Sequence, residues 1–257
     1  MISALQGLAH WHLDGVIDEG DHATIYRARP VSCGADEPHS ALKVLRSACL
    51  SDDVEVEAFQ SRARWSREIG LEAVDKRLVC VSEYGDAEGT PWMAMPAIDG
   101  LPISALGTKR APGRISPQAG VLVAQELLEV LVHLQSLSEP MSHGRISPNH
   151  ILVDEDAEIR VVGVGGQEHP RHDLLALGRL LEQAVAEWPS EMDAWIDQLK
   201  SDDDAFDDAA EALESIPYAA FDDDVLEQGR VALRRSVKRT RRRRAKEAVS
   251  YTHLTLP

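Results

Sequence analysis

Two kinds of hydrophobic patterning divide the chain near residue 100. Before that point, short apolar runs are broken by turn-forming residues. Residues 13–28 (L-D-G-V-I-D-E-G-D-H-A-T-I-Y-R-A) predict two strands joined at Glu19-Gly20-Asp21. The loop V-S-C-G-A-D-E-P-H-S then leads to a short apolar strand over 41–45. Residues 54–74 have the composition and length of a helix, and 78–84 and 91–95 predict two further strands about the turn D-A-E-G-T. The expectation is a five-stranded sheet with one helix, all before Gly100. Beyond it the pattern turns helical. Ser116-Pro117 is a helix start, a capping serine followed by a proline whose missing N–H costs nothing in the first turn. Val121, Leu122, Leu127, Leu128, Val130, Leu131 and Leu134 make that helix too apolar for a surface. D-L-L-A-L-G-R-L-L-E-Q-A-V predicts another buried helix. An amphipathic segment around Trp195, Ile196 and Leu199 follows, and then D-D-A-A-E-A-L-E-S-I. The chain reads as α+β, a small β-rich lobe followed by a helical one.

Composition agrees with a globular protein able to bury a sizeable core: 257 residues, 44% hydrophobic and 27% charged. Cys33, Cys49 and Cys80 are far apart and in no C-x-x-C spacing, which predicts a reduced, cytoplasmic setting without disulfides or a zinc site. The N-terminus lacks the basic start and apolar run of a signal peptide. No stretch reaches the roughly 18 apolar residues of a membrane span. The net charge of −16 conceals an asymmetry. Residues 230–246 hold 10 of the 27 Lys and Arg and no acid, leaving 17 basic residues against 43 acidic ones elsewhere.

Chemistry concentrates in H-G-R-I-S-P-N-H-I-L-V-D-E-D-A-E-I-R-V-V-G-V-G, residues 143–165. This stretch resembles the catalytic loop, hairpin and metal-binding loop of protein kinases, most nearly the bacterial serine/threonine kinases of eukaryotic type. The resemblance covers roughly residues 11–216. It implies a bilobal kinase-like fold, with an N-lobe over 11–98 and a C-lobe over 99–216 whose activation segment is shortened. D-E-G-D-H-A-T-I-Y aligns with the phosphate-binding glycine loop. Gly20 survives there, while Asp18 and Ala23 replace the outer glycines. A-L-K places Lys43 at the phosphate-contacting lysine, with Glu68 as its helical partner. W-M-A-M-P-A-I-D-G resembles the strand and hinge between lobes, with Met95 as gatekeeper. The Pro96 carbonyl and the Ile98 N–H would then face an adenine. Its apolar walls would be Ile25, Ala41 and Leu152, residues that serve equally as ordinary core. Asp173 matches the buried aspartate that holds the catalytic loop by its backbone.

The reacting positions are altered. Arg145 stands where the family has its catalytic aspartate, and guanidinium offers donors only. His150 replaces a magnesium-binding asparagine, although magnesium prefers oxygen. Gly163 replaces the aspartate that anchors that ion. Asn149 and Asp154 are nearby but off register. Seven residues, G-Q-E-H-P-R-H, separate Gly165 from Asp173, far fewer than the activation loop and peptide-docking platform of an active member. The resemblance thus implies a pseudokinase with no catalytic or metal-binding residues. ATP is the one cofactor its cleft would take, without ordinary magnesium ligation. Arg145 is expected to pair with a nearby acid, or else to hold a phosphate or carboxylate.

Residues 217–248 read as an acidic-then-basic tail. Its stretch 230–246 suits an anionic membrane surface or nucleic acid, in the manner of a juxtamembrane segment. It lacks aromatics for base stacking. The last nine residues, V-S-Y-T-H-L-T-L-P, resemble a translated sequencing adapter, and no fold is assigned to 249–257. Three functions follow as expectations. The first is an inactive kinase-like regulatory or binding module with a protein partner, in the cytoplasm or as the cytosolic part of a membrane protein. The others are an atypical ATP-dependent serine/threonine kinase and a basic-tailed binder of nucleic acid or membrane.

Overall fold

Eleven strands and six α-helices make up two lobes in a computed structural model that describes residues 8–32, 34, 39–108, 110–166, 168–201 and 205–254, with side chains to residue 246. Cys33 and residues 255–257 lie outside the described residues. The strands are β1 (Trp11–Glu19), β2 (Ala23–Pro30), β3 (Ser40–Leu45), β4 (Leu78–Val79), β5 (Glu83–Ala87), β6 (Thr90–Pro96), β7 (Leu101–Pro102), β8 (Gly107–Thr108), β9 (Ala111–Pro112), β10 (Ile151–Val153) and β11 (Ile159–Val162). The helices are α1 (Asp53–Glu72), α2 (Pro117–Gln135), α3 (Pro170–Ala184), α4 (Ser190–Lys200), α5 (Ala209–Glu214) and α6 (Val225–Leu254).

The small lobe is the expected five-stranded sheet, antiparallel throughout, in the order β1-β2-β3-β6-β5. Side-chain alternation sorts its residues between two small cores. Leu42 and Val44 join Trp11, Ala28, Trp92 and Ala94 on one face. Ala23, Leu45 and Met93 meet Phe59 and Ala63 of α1 on the other. Lys43, between Leu42 and Val44, therefore falls on the α1 side. The strand expected over 78–84 divides in two. Leu78 and Val79 are buried and pair in parallel with β11 in the larger lobe. Glu83 and Tyr84 are exposed and begin the edge strand β5.

Helix starts follow capping chemistry. Asp52 accepts the N–H groups of Val54 at 3.0 Å and Glu55 at 3.4 Å, and Ser116 accepts that of Ala119 at 3.3 Å. Helix α2 is the axis of the larger lobe: eleven of its residues are buried, and one continuous core joins it to α3, α4, α5 and α6. The lobes are also fastened together. Glu72, at the end of α1, accepts the Ser138 N–H at 2.6 Å and its hydroxyl at 2.7 Å.

The basic stretch set apart by its charge is not a detached tail. It belongs to α6, which buries Val225, Leu233, Ser236, Val237 and Thr240. The helix approaches α2 so closely that a Cβ on Gly229 would stand 2.4 Å from the Gln118 carbonyl oxygen. A shared ion network reinforces the contact. Arg77 bonds Asp75 at 2.7 Å, Glu126 at 3.0 Å and Glu129 at 2.5 Å, and Glu126 also receives Arg230 at 3.1 Å. Burial opposes the Arg77 charge, but its bonds to Asp75, Glu129 and Glu126 outweigh that and hold it firmly protonated. Among the described residues no helix is long and apolar enough to cross a membrane.

If α6 is structural, Gly229→Ala should destabilise the fold by about 1–3 kcal/mol through overpacking. Arg235→Ala, at an exposed position of the same helix, should stay within about 0.5 kcal/mol. Denaturant unfolding of the two variants checks this, and equal stabilities would contradict the packing.

Candidate functional site

The cleft between the lobes is organised by one carboxylate. Asp173, in the first turn of α3 and 2% exposed, accepts the N–H of His143 at 2.6 Å and of Gly144 at 2.9 Å. Burial pushes its acid up to about 6, against the pull of those two bonds. His143 is fully buried and bonded at both nitrogens. Its Nδ1 faces the Arg145 N–H at 3.1 Å, so it must be the acceptor, which leaves Nε2–H to donate to the Val162 carbonyl at 3.2 Å. A second proton would find no acceptor. Burial, with repulsion from His150, presses this imidazole down to about 3.

His150 and Gly163, expected from the resemblance to replace metal ligands, interlock. The His150 Nδ1 meets Ser147 Oγ at 2.8 Å, and its ring fills the space above Gly163. A Cβ at Gly163 would lie 2.9 Å from His150 Cδ2, and its φ of +82° is one that residues with side chains rarely adopt. No aspartate fits there while His150 keeps its place. Burial, then the charges of Lys43 and Arg145, hold His150 down to about 4. The off-register residues are engaged elsewhere. The Asn149 side-chain oxygen accepts Ser104 Oγ–H at 2.5 Å, and Asp154 accepts the N–H groups of Asp156 and Glu158, both at 2.9 Å, within its hairpin turn.

Lys43 lies in the cleft without its expected partner. Glu68 is exposed on α1, outside the buried stripe of Phe59, Ala63, Ser66 and Ile69. Six residues of helix rotate it about 120° away from Arg62, and Arg62 is the α1 residue that turns to the cleft. The Arg62 carbonyl oxygen and the Ser66 N–H both abut Gly165. The buried Arg62 Nη1 has no hydrogen-bond partner. Arg145, expected to pair with an acid, is exposed and forms no ion pair among the described residues. Three cations therefore act on one another. Burial, then Arg145 and Arg62, lowers Lys43 to about 8, with Asp18 pulling the other way. Burial and Arg145 lower Arg62 to about 10, opposed by Glu168.

The other residues picked from the sequence fall around this cluster. Ile25 is opposite Lys43 in the β2–β3 pairing, and Ala41 is opposite Met95 in the β3–β6 pairing. All three are half-buried, as are Ile98 and Leu152, which meet across Gly100. Gly20 closes the β1–β2 turn, donating its N–H to the Ala23 carbonyl at 3.0 Å and accepting Arg46 at 2.9 Å. Past Gly165 the chain is tied to Ser142 by a two-way backbone bridge at Gly166 and enters α3 at Pro170. Arg62 is the residue that sequence reasoning missed. Its place on the inner edge of the Phe59–Ala63–Ser66 stripe was the available signal.

Both histidines bind protons more weakly in the folded chain than at the ordinary value of 6.5. They contribute stability above pH 6.5 that is lost as the pH falls toward 4. Asp173, raised from 3.8 to about 6, works in the opposite sense across that interval. His143→Gln, which restores a neutral donor, should flatten the fall in melting temperature between pH 6.5 and 4. An unchanged slope would refute the buried neutral imidazole.

No protein-family model matches this sequence, and no curated protein matches it. Solved structures do. The crystal structure of the Mycobacterium tuberculosis PknI kinase domain superposes with a TM-score of 0.64 at 16% identity, covering 82% of this chain and 96% of that one. A single-substitution mutant of that domain gives 0.62 at 17% identity, over 83% and 96%. A further structure of it gives 0.60 at 18%, over 81% and 95%. With its five-stranded sheet and helical second lobe, the chain has the bilobal α+β fold of a protein kinase domain.

Proposed function

We propose that the chain is a pseudokinase, a kinase-like regulatory or binding module that engages a protein partner and does not transfer phosphate. Its cleft takes an anionic, nucleotide-like ligand without magnesium. One observation carries this reading. Lys43, Arg62 and Arg145 converge where phosphoryl transfer needs carboxylates, and among the described residues none of them has an acid within ion-pair distance.

Phosphoryl transfer needs a carboxylate to orient the attacking hydroxyl and oxygen ligands to hold the metal that bridges the phosphates. Arg145 accepts no proton, and the His150–Gly163 contact closes the position of the metal-holding acid. Cations placed there do the metal's electrostatic work by another route, neutralising phosphate oxygens directly through N–H donors. The half-buried Ile25, Ala41, Met95, Ile98 and Leu152 suit the flat apolar part of such a ligand.

Purified protein should show no ATP turnover above background with magnesium. ATP in the presence of EDTA should nonetheless stabilise it, by about 2.7 kcal/mol at a hundredfold excess over Kd. Thermal shift should lose that gain in Lys43→Ala and in Arg62→Ala. Raising the pH from 7 to 9 should weaken binding, because Lys43 gives up its charge above about 8. Magnesium-dependent turnover that disappears in Lys43→Ala would overturn the reading.

A further inference from the structure

Nine of the ten basic residues of 230–246 fall into two sets once α6 is seen in place; the tenth, Arg244, is exposed but lies in the helical phase of Leu233 and Val237. Arg230, Arg234, Arg241 and Arg243 fasten the helix to the body. Arg230 reaches Glu126 at 3.1 Å and Glu158 at 3.6 Å, and Arg241 reaches Asp99 at 3.0 Å and Glu155 at 2.9 Å. Arg234 donates to the Asp156 carbonyl at 2.9 Å and Arg243 to that of Ala105 at 3.4 Å. The second set is Arg235, Lys238, Arg239, Arg242 and Lys246. Their spacing of three or four residues puts all five on one face, opposite the packed stripe of Leu233, Val237 and Thr240. All five are exposed, and among the described residues none makes an ion pair or side-chain hydrogen bond. The face runs about 16 Å along a helix held rigid by the core.

We infer that this face of α6 docks the phosphate backbone of nucleic acid, without reading its sequence. Three observations favour that partner. The apolar side of α6 is sealed against α2 and cannot enter a bilayer, which is how an amphipathic helix holds to a membrane. Exposed acids flank the stripe: Asp99, Glu155 and Glu158 on one side of α6, and Asp222 to Asp224 just before it. A broad anionic surface would press on these acids, whereas a narrow rod meets the one basic ridge and leaves the acidic body turned away. The stripe also offers guanidinium and ammonium groups and no aromatic ring. Those groups suit phosphate contacts, and the absence of rings leaves bases unread.

The test is fluorescence anisotropy of a labelled DNA duplex against the whole chain, with α6 altered by substitution because deleting it would open the core. Two duplexes of unrelated sequence should bind alike. The log–log salt slope should be about −4.5 for five neutralised phosphates, a loss of about 500-fold in affinity between 50 and 200 mM salt. Arg235→Gln, Arg239→Gln and Arg242→Gln together should bring the slope to about −2 without altering the melting temperature. Lys43→Ala should leave DNA binding as it was, which separates this face from the cleft. Absence of binding at low salt would overturn the inference, as would binding indifferent to the triple variant. Tighter capture by phosphatidylserine vesicles than by DNA would assign the face to a membrane instead. Concentration-dependent self-association lost in the triple variant, with no DNA binding, would assign it to a second copy of the chain.

Discussion

The carboxylate of Asp173 holding two consecutive backbone N–H groups is the constraint on which the cleft depends. Those bonds fix His143 and Gly144, and His143 in turn bonds Arg145 on one side and Val162 on the other. The loop and the hairpin strand after it are thereby locked in mutual register by groups that take no part in chemistry. Later in the loop the Ser147–His150 and Ser104–Asn149 bonds add to that frame. Arg145 and His150 sit on that frame, one exposed and the other half-buried over Gly163.

His150 and Gly163 are sterically coupled on that frame. His150 fills the volume that a side chain at residue 163 would need, so the histidine and the glycine are compatible with each other and with no metal-holding acid between them. Burial, then Arg145 and Arg62, make Lys43 bind its proton less tightly, and no acid within ion-pair distance among the described residues balances it. The cluster destabilises the fold slightly. A buried cation without a partner loses solvation that nothing repays, and aliphatic residues would fill the same space without that penalty.

Much of the fold was legible because local rules suffice for it. Ser116-Pro117 started a helix as capping predicts, and the five strands followed from alternation and turns. What could not be read depended on partners distant in sequence. Residues 78–84 look like one strand, yet Leu78 and Val79 are claimed by β11 and Glu83 and Tyr84 by β6. Glu68 has the right charge to pair with Lys43 but the wrong helical phase, which charge alone does not reveal. In α6 the packed stripe runs through Gly229, Ser236 and Thr240 as well as Leu233 and Val237. Small and polar residues thus hid a period of 3.6 beneath a dominant run of arginine. For the site, the sequence offered Arg145, His150 and Gly163 as altered positions; that the cations face one another required three dimensions.

The division of charge has one physical logic in both places. In α6, Arg230, Arg234, Arg241 and Arg243 meet acids or carbonyls and serve the fold, while the exposed cations meet neither among the described residues. In the cleft, Lys43, Arg62 and Arg145 are of the second kind. Formal charge from composition counts all of them alike, and an acidic protein with a net charge of −16 would be expected to repel polyanions. Screening changes that expectation. Beyond roughly 8–10 Å at physiological salt, exposed charges no longer sum, so a ligand responds to the few cations it touches. An acidic body can therefore carry two local clusters of cations without acid partners, Lys43, Arg62 and Arg145 in the cleft and the exposed ridge of α6.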